Sequence, residues 1–357
     1  MPQTYIRCER QQFQCGETIR CTVYVDARNK VHHFTSLRVG LLQTERTALR
    51  ERGARSLSGR KSLMEEKVTL VSSVAVGHFP QGIIPRNTMI EATATFCVPA
   101  DVPNSVEFES GMGKAEIIYH VAAEFGSANN PPVRLALVPV TLFSPLPSVS
   151  PHPVSLLMDD PVGCCNVFES RSVKVVGKLS ADWVSSGDWL NLDLLLENKG
   201  RTVRTDLCVR LVRCVRWRAE GRVHQETEVV FSKKVPVVLK KKRAVARLLD
   251  VLSLPLPFSV FPPERRKDRK GNGGRGPHSS RRRQRGTQRF IFRAQLPQGM
   301  AGSHRSSLSE SSYELVSYLE GVSGSSLRFP VSILSRPIGT TQTVPMPTRP
   351  PESAGAV

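Results

Sequence analysis

Apolar and polar side chains alternate along two similar segments of the chain. Residues 15–42 are CGETIRCTVYVDARNKVHHFTSLRVGLL, and residues 186–213 are SGDWLNLDLLLENKGRTVRTDLCVRLVR. In each segment a glycine and an acid precede a run with a period of two, which is typical of a half-buried β-strand. The apolar members of these runs are Ile19, Cys21, Val23 and Val25 in the first and Leu190, Leu192, Leu194 and Leu196 in the second. A polar break and a second alternating run follow in both, which predicts a duplicated pair of strands.

A second correspondence lies further along each half of the chain. Residues 96–126 and 292–321 share a strand that ends near a proline, a serine-containing loop and a tyrosine-bearing strand, in which Tyr119 matches Tyr313. The pattern holds many short strands and turns without a helical apolar stripe. It predicts an all-β fold of two tandem antiparallel, immunoglobulin-like β-sandwich domains.

Proline-rich and charged segments indicate where the domains, linker, insertion and tail begin and end. We expect an N-terminal domain over residues 1–145, a proline-rich linker over 146–165 and a C-terminal domain over 166–336, with a disordered tail over 337–357. The second half is longer than the first between the matched segments, and residues 264–289 contain no apolar side chain apart from proline. They predict a disordered insertion on a loop. The polar residues 47–67 predict a long exposed loop.

Composition and motifs argue against several classes of protein. The chain has 357 residues, enough for two ordinary domains, and it shows neither an N-terminal apolar signal nor a membrane-spanning apolar run. We expect a soluble cytoplasmic protein. Its eight cysteines lack metal-ligand spacing, even beside His32 and His33, and are expected to be small core residues. No nucleophile elbow, HExxH or phosphate-binding loop is present, so we expect no enzyme activity, cofactor or metal.

The strongest charge signal lies in residues 264–289. The formal net charge of the chain is +19, and this segment contributes a large part of it. The cationic residues expected to contact an acidic partner or an anionic membrane are Arg265, Arg266, Lys267, Arg269, Lys270, Arg281, Arg282, Arg283 and Arg285. A solvated loop is the plain alternative. Nucleic acid is a weaker one, because the run has no aromatic side chain to stack on bases.

The order of these segments resembles the arrestin family, especially the arrestin-domain-containing proteins, or α-arrestins. In the first half, FPQGIIPRNTMIEATATFCVPADVPNSVE precedes KAEIIYHVAAEF, and the matching positions are Pro99, Pro103, Ser105, Gly113 and Tyr119. In the second half, Cys164-Cys165, the segment SVKVVGKLSADWVSSGDWLNLDLLLEN and the return CVRLVRCVRW follow in the same order. The resemblance covers residues 5–336.

This resemblance implies a non-enzymatic adaptor in protein transport, located in the cytoplasm and peripherally at the plasma membrane or endosomes. Members of the family bind cytoplasmic parts of membrane proteins and connect them to endocytic or endosomal sorting machinery, and many α-arrestins recruit a ubiquitin ligase through a PPxY motif. This chain has RPPE at residues 349–352 and no PPxY. We expect edge strands and sheet faces to take up peptide tails. Two alternatives stay open: an arrestin-like coat subunit of the retromer type, and a basic protein associated with nucleic acid or the ribosome.

Overall fold

A computed structural model describes most of the chain: residues 2–50, 62–79, 81–127, 130–145, 147, 149–162, 171–198, 202–240, 287–321 and 326–337. All regular elements in these ranges are β-strands, which confirms the predicted all-β class. Since these ranges contain no long apolar helix, none of their elements is a candidate membrane-crossing helix.

Nine strands form two sheets in the first half of the protein, residues 2–145. They are β1 (Gln3–Cys8), β2 (Gln12–Gln14), β3 (Thr18–Ala27), β4 (Ser36–Arg50), β5 (Ser62–His78), β6 (Thr88–Cys97), β7 (Val106–Ser110), β8 (Gly113–Gly126) and β9 (Val133–Phe143). One sheet has the order β1-β3-β6. The other has the order β2-β9-β8-β4-β5, and β7 pairs with β8.

Ten strands form two further sheets in the second half, residues 149–337. They are β10 (Val154–Val162), β11 (Arg171–Leu179), β12 (Trp183–Ser185), β13 (Trp189–Asn198), β14 (Val203–Ala219), β15 (Arg222–Leu239), β16 (Thr287–Gln295), β17 (His304–Arg305), β18 (Ser309–Leu319) and β19 (Ser326–Leu334). The sheets have the orders β10-β11-β13-β16 and β12-β19-β18-β14-β15, and β17 pairs with β18.

Each half encloses its own apolar core, as expected for sheets that pack face to face. The alternating residues predicted from the sequence face these cores. In β3, Ile19, Cys21, Val23 and Val25 are buried, and in β13, Leu190, Leu192, Leu194 and Leu196 are buried. The period-two pattern therefore predicted both the strands and their inward faces.

The two halves also repeat single hydrogen bonds. Gly16 and Gly187, which precede β3 and β13, both have left-handed backbones, with φ of 92° and 85°. The hydroxyl of Ser105 accepts a hydrogen bond from the backbone N–H of Leu142 at 2.9 Å, and Ser303 makes the matching bond with Ile333 at 2.9 Å. Tyr119 donates to the carbonyl of Pro103 at 2.6 Å, and Tyr313 donates to that of Ala301 at 2.7 Å. The duplication seen in the sequence thus extends to side-chain geometry.

Three segment boundaries predicted from the sequence are wrong. The expected linker, 146–165, contains β10, which pairs along its length with β11. This strand lies at the edge of its sheet, where Pro161 is tolerated. The expected loop, 47–67, contains the end of β4 and the start of β5, and Leu49 and Leu63 are buried there. The expected insertion ends too late, because Thr287–Arg289 belongs to β16. Its remainder lies outside the described residues, as do residues 338–357 of the expected tail.

Candidate interaction surfaces

Apolar side chains from both halves form a third buried cluster between them. Its centre is Trp217 of β14, whose ring lies 5.4 Å from that of Phe108 and whose Nε1–H donates to the carbonyl of Ala48 at 3.2 Å. The buried members of the cluster are Leu49, Leu63, Phe108, Ala115, Val215, Trp217 and Ala219. Because burial of large aromatic and aliphatic groups stabilises an interface, this cluster holds the halves together.

A buried carboxylate crosses the same interface. Glu45 of β4 is 4% exposed, and its Oε2 accepts hydrogen bonds from the Ser307 hydroxyl and the Leu308 N–H of the second half, both at 3.0 Å. Its Oε1 accepts a hydrogen bond from the side-chain amide of Gln43 at 2.8 Å. Buried polar groups need hydrogen-bond partners. If the halves separated, the Glu45 carboxylate and its donors in the second half would each need water or another partner.

Arg213 and His304 extend this polar region into the second half. The Arg213 guanidinium lies 5.2 Å from the centroid of the Phe108 ring, and its Nε–H donates to Ser311 at 3.1 Å. His304 Nε2 lies 3.1 Å from the hydroxyl of Ser309. Burial, together with the positive charge of Arg213, lowers the pKa of His304 to about 4. The imidazole is therefore neutral near pH 7, where its protonation would place a second positive charge beside Arg213.

A second contact joins equivalent strand ends of the two halves. Ser144 follows β9 and Ser335 follows β19. The N–H of Ser144 donates to the Ser335 hydroxyl at 3.1 Å, and the N–H of Ser335 donates to the Ser144 hydroxyl at 3.2 Å. The reciprocal bonds are those of a local two-fold arrangement. They fix the two strand ends against each other at a buried position.

Among the described strands, β16 is the last in its sheet, so one of its edges is left open. The N–H of Leu296 donates to the carbonyl of Asp188 at 2.9 Å, so the even-numbered residues of β16 bond with β13. The backbone groups of Arg289, Ile291 and Arg293 consequently point to the other side.

Edge strands β6, β1 and β10 lie alongside β5, β9 and β19, respectively. Strand β15 of the facing sheet contacts the inward side chains of β16: the Gln288 side-chain amide donates to the carbonyl of Val238 at 2.7 Å, and the rings of Phe231 and Phe292 lie 6.0 Å apart. No described strand pairs through its backbone with the second edge of β16.

The outward side chains of β16 alternate between cationic and apolar. Ile291 is 67% exposed and lies between Arg289 and Arg293. The Arg289 Nε–H donates to the two carboxylate oxygens of Asp193 at 2.9 and 3.0 Å. The Arg293 guanidinium lies 5.9 Å from the ring centroid of Trp189, which is 55% exposed. Both cations are thus oriented by neighbours on β13, and the exposed isoleucine lies between them.

An apolar row continues from this edge across the sheet. Leu157, Val176 and Leu195 are directly opposite one another on β10, β11 and β13. They face outward, and Leu157 and Leu195 are among the large exposed apolar side chains. Ile291 lies diagonally from Leu195 on the same face. The open edge therefore adjoins an apolar surface that spans four strands.

The structure does not place the cationic site predicted from the sequence. All nine of its residues, Arg265, Arg266, Lys267, Arg269, Lys270, Arg281, Arg282, Arg283 and Arg285, lie outside the described residues, as do Cys164 and Cys165. Sequence reasoning missed the β16 surface, although the segment RFIFR at 289–293 carries a period-two signal. It was missed because Arg289 was assigned to the insertion.

Neither metal-binding groups nor comparison with known proteins assigns a function directly. Among the described residues, no group of three His, Cys, Asp or Glu side chains could hold a metal ion. No protein-family model matches the sequence, and no curated protein matches it with significant similarity.

Proposed function

We propose that this protein is a non-enzymatic, arrestin-like adaptor that binds cytoplasmic parts of membrane proteins for endocytosis or endosomal sorting. In this proposal its halves are two tandem immunoglobulin-like β-sandwich domains. The order of motifs in the sequence supports the family. Ser105 and Ser303 accept equivalent hydrogen bonds within their own halves, and Tyr119 and Tyr313 donate equivalent ones, which supports a duplicated unit.

The open edge of β16 is the observation that carries the proposal. An extended peptide adds to such an edge through its backbone, while alternate side chains supply specificity. The outward backbone groups of Arg289, Ile291 and Arg293 would bond with the tail. The side chains of β16 would select the residues of the tail that lie opposite them. Acidic side chains are favoured opposite the two arginines, and an apolar one is favoured opposite Ile291. The tail is thus expected to contain the pattern acid-x-apolar-x-acid.

The buried interface supports a scaffold role. Glu45, Trp217 and the reciprocal bonds of Ser144 and Ser335 connect the halves at separate places. A tail held by the second half would then keep a defined position relative to any sorting component held by the first. The partners proposed here are tails of membrane proteins and trafficking machinery or a ubiquitin ligase.

The basic segment supplies a second proposed contact. Attraction to an anionic bilayer is worth about 1 kcal/mol for each cation near the surface. Replacing the nine predicted contact residues with glutamine is expected to weaken binding to phosphatidylserine vesicles, as measured by sedimentation. These residues are Arg265, Arg266, Lys267, Arg269, Lys270, Arg281, Arg282, Arg283 and Arg285. Because these substitutions leave Thr287–Arg289 intact, they leave the pairing of β16 with β13 unaltered.

Proline substitution tests the proposed tail site. Ile291→Pro removes an N–H that points to the free edge and keeps the bonds with β13, so the protein should stay folded. We expect at least a tenfold loss of affinity for a labelled acid-x-apolar-x-acid peptide, measured by fluorescence anisotropy. Thr93→Pro is the matched control, since Thr93 occupies the equivalent place in β6, which lies alongside β5.

Two results would count against this site. One is equal peptide affinity of the wild type and Ile291→Pro at unchanged melting temperature. The other is equal affinity for a peptide in which both acids are replaced by lysine, because the charges of Arg289 and Arg293 should disfavour that peptide.

A further inference from the structure

Two cysteines meet across the first sheet. Cys8 of β1 and Cys21 of β3 are directly opposite in the antiparallel register. Cys21 is buried and Cys8 is half-buried, and both face the core side of the sheet. Both are free thiols. A small oxidant from solvent can therefore reach the pair at Cys8.

The backbone places this pair in the closer of the two antiparallel geometries. The N–H of Glu9 donates to the carbonyl of Arg20 at 3.2 Å, which makes the adjacent pair the hydrogen-bonded one. The N–H of Val98 donates to the carbonyl of Glu17 at 2.8 Å, so the backbone groups of Cys21 point to β6. Cys8 and Cys21 consequently form a non-hydrogen-bonded pair. Such pairs have Cα atoms about 4.5 Å apart, within the range of about 4.4–6.8 Å that a disulfide spans.

The two thiols also interact directly. The interaction between them raises the pKa of Cys8 and lowers the pKa of Cys21. A lowered pKa increases the thiolate fraction, and the thiolate is the reactive form. The contact thus brings a more acidic thiol next to one that solvent can reach.

The other described cysteines lack such a partner. Cys97 is opposite Thr18, Cys208 is opposite Tyr318 and Lys234, and Cys214 is opposite Ser312 and Thr227. Cys15 precedes β3, and burial raises its pKa to about 11. Among the six cysteines that the structure describes, one pair therefore stands in register.

We propose that Cys8 and Cys21 are a site of reversible disulfide formation, with a peroxide as the oxidant. Peroxide oxidises one thiol to a sulfenic acid and releases water. The second thiol attacks the sulfenic sulfur, an S–S bond forms and a second water leaves. A dithiol reverses the reaction by exchange and is itself oxidised to a disulfide. The oxidised state ties edge strand β1 covalently to β3.

Peptide mapping of the full chain tests this site. Purified protein is treated with hydrogen peroxide, blocked with N-ethylmaleimide and digested with trypsin without reduction. We expect a disulfide-linked pair of the peptides CER (residues 8–10) and CTVYVDAR (residues 21–28), which dithiothreitol separates. Because Cys15 lies in a different peptide, QQFQCGETIR, the map distinguishes the two partners.

Thermal stability gives a second readout. Oxidation is expected to raise the melting temperature of the wild type, since the bond constrains the unfolded chain. It should raise that of Cys97→Ser equally, because Cys97 is exposed and outside the pair. Cys8→Ser and Cys8→Ala should show neither the linked peptides nor the rise. Recovery of Cys8 linked to Cys15, or of over-oxidised Cys8 with Cys21 still alkylated, would overturn the proposal.

Discussion

Tyr119 and Tyr313 perform the same task in the two halves. Each is buried and donates its hydroxyl to a backbone carbonyl, that of Pro103 before β7 or that of Ala301 before β17. Replacing either with phenylalanine leaves that buried carbonyl without its partner, so each change is expected to lower the unfolding free energy by about 1–2 kcal/mol. Urea titration measures this. Tyr5→Phe, at an exposed position, is the control and should have almost no effect. Unequal losses at the two buried sites would contradict their equivalence.

His304 makes the stability depend on pH. The folded protein holds its pKa at about 4, below the value of about 6.5 in an unfolded chain. As pH falls below about 6.5, the unfolded state takes up the proton first, so the free energy of unfolding decreases until about pH 4. We expect a loss of about 2 kcal/mol between pH 7 and pH 5 from this residue.

The matched variant for this pH effect is His304→Gln. His32 and His120 also have lowered pKa values because of burial, and they add to the effect in the same direction. His304→Gln should therefore remove about 2 kcal/mol of the pH dependence and keep the remainder. The same difference in unfolding free energy between pH 7 and pH 5 in both proteins would show that His304 is not the responsible group.

At the scale of strands, the sequence predicted most where one face is buried. Alternation identified β3 and β13 and their inward residues, and the glycine-acid pairs marked where these strands begin. It failed at β10, where nearby prolines indicated a linker although an edge strand tolerates them. It also failed at the ends of β4 and β5, whose polar side chains indicated a loop. There, Leu49 and Leu63 are buried against residues of the other half, and no local pattern reveals that contact.

The ends of β9 and β19 carry a testable coupling. The backbone N–H of each serine, Ser144 and Ser335, donates to the hydroxyl of the other. Removing one hydroxyl should therefore reduce the contribution of the other hydroxyl to stability. In a double-mutant cycle, Ser144→Ala and Ser335→Ala are expected to show a coupling of at least about 0.5 kcal/mol. Ser144→Ala combined with Ser312→Ala, at an exposed position on β18, should be additive. Additivity of the first pair would contradict the reciprocal contact.

At the scale of the molecule, the interface was the feature least accessible to sequence reasoning. Trp217, Phe108 and Ala48 are far apart in the chain, and only the packing of both halves brings them together. Trp217→Ala is expected to lower the unfolding free energy by about 3–5 kcal/mol, because it removes a large buried side chain. Trp189→Ala, at an exposed position, should change it by about 0.5 kcal/mol or less. Similar losses in guanidinium titrations of both variants would contradict the account of the interface.

The measurement that tests the adaptor proposal most directly is isolation of the tagged protein from its own cells, followed by mass spectrometry of its partners. It should be made at near-physiological salt with the wild type, Ile291→Pro and Thr93→Pro. The account predicts membrane proteins together with coat components or a ubiquitin ligase, with the membrane proteins lost in Ile291→Pro and retained in Thr93→Pro. Recovery of chiefly ribosomal or chromatin proteins, unaffected by Ile291→Pro, would contradict it.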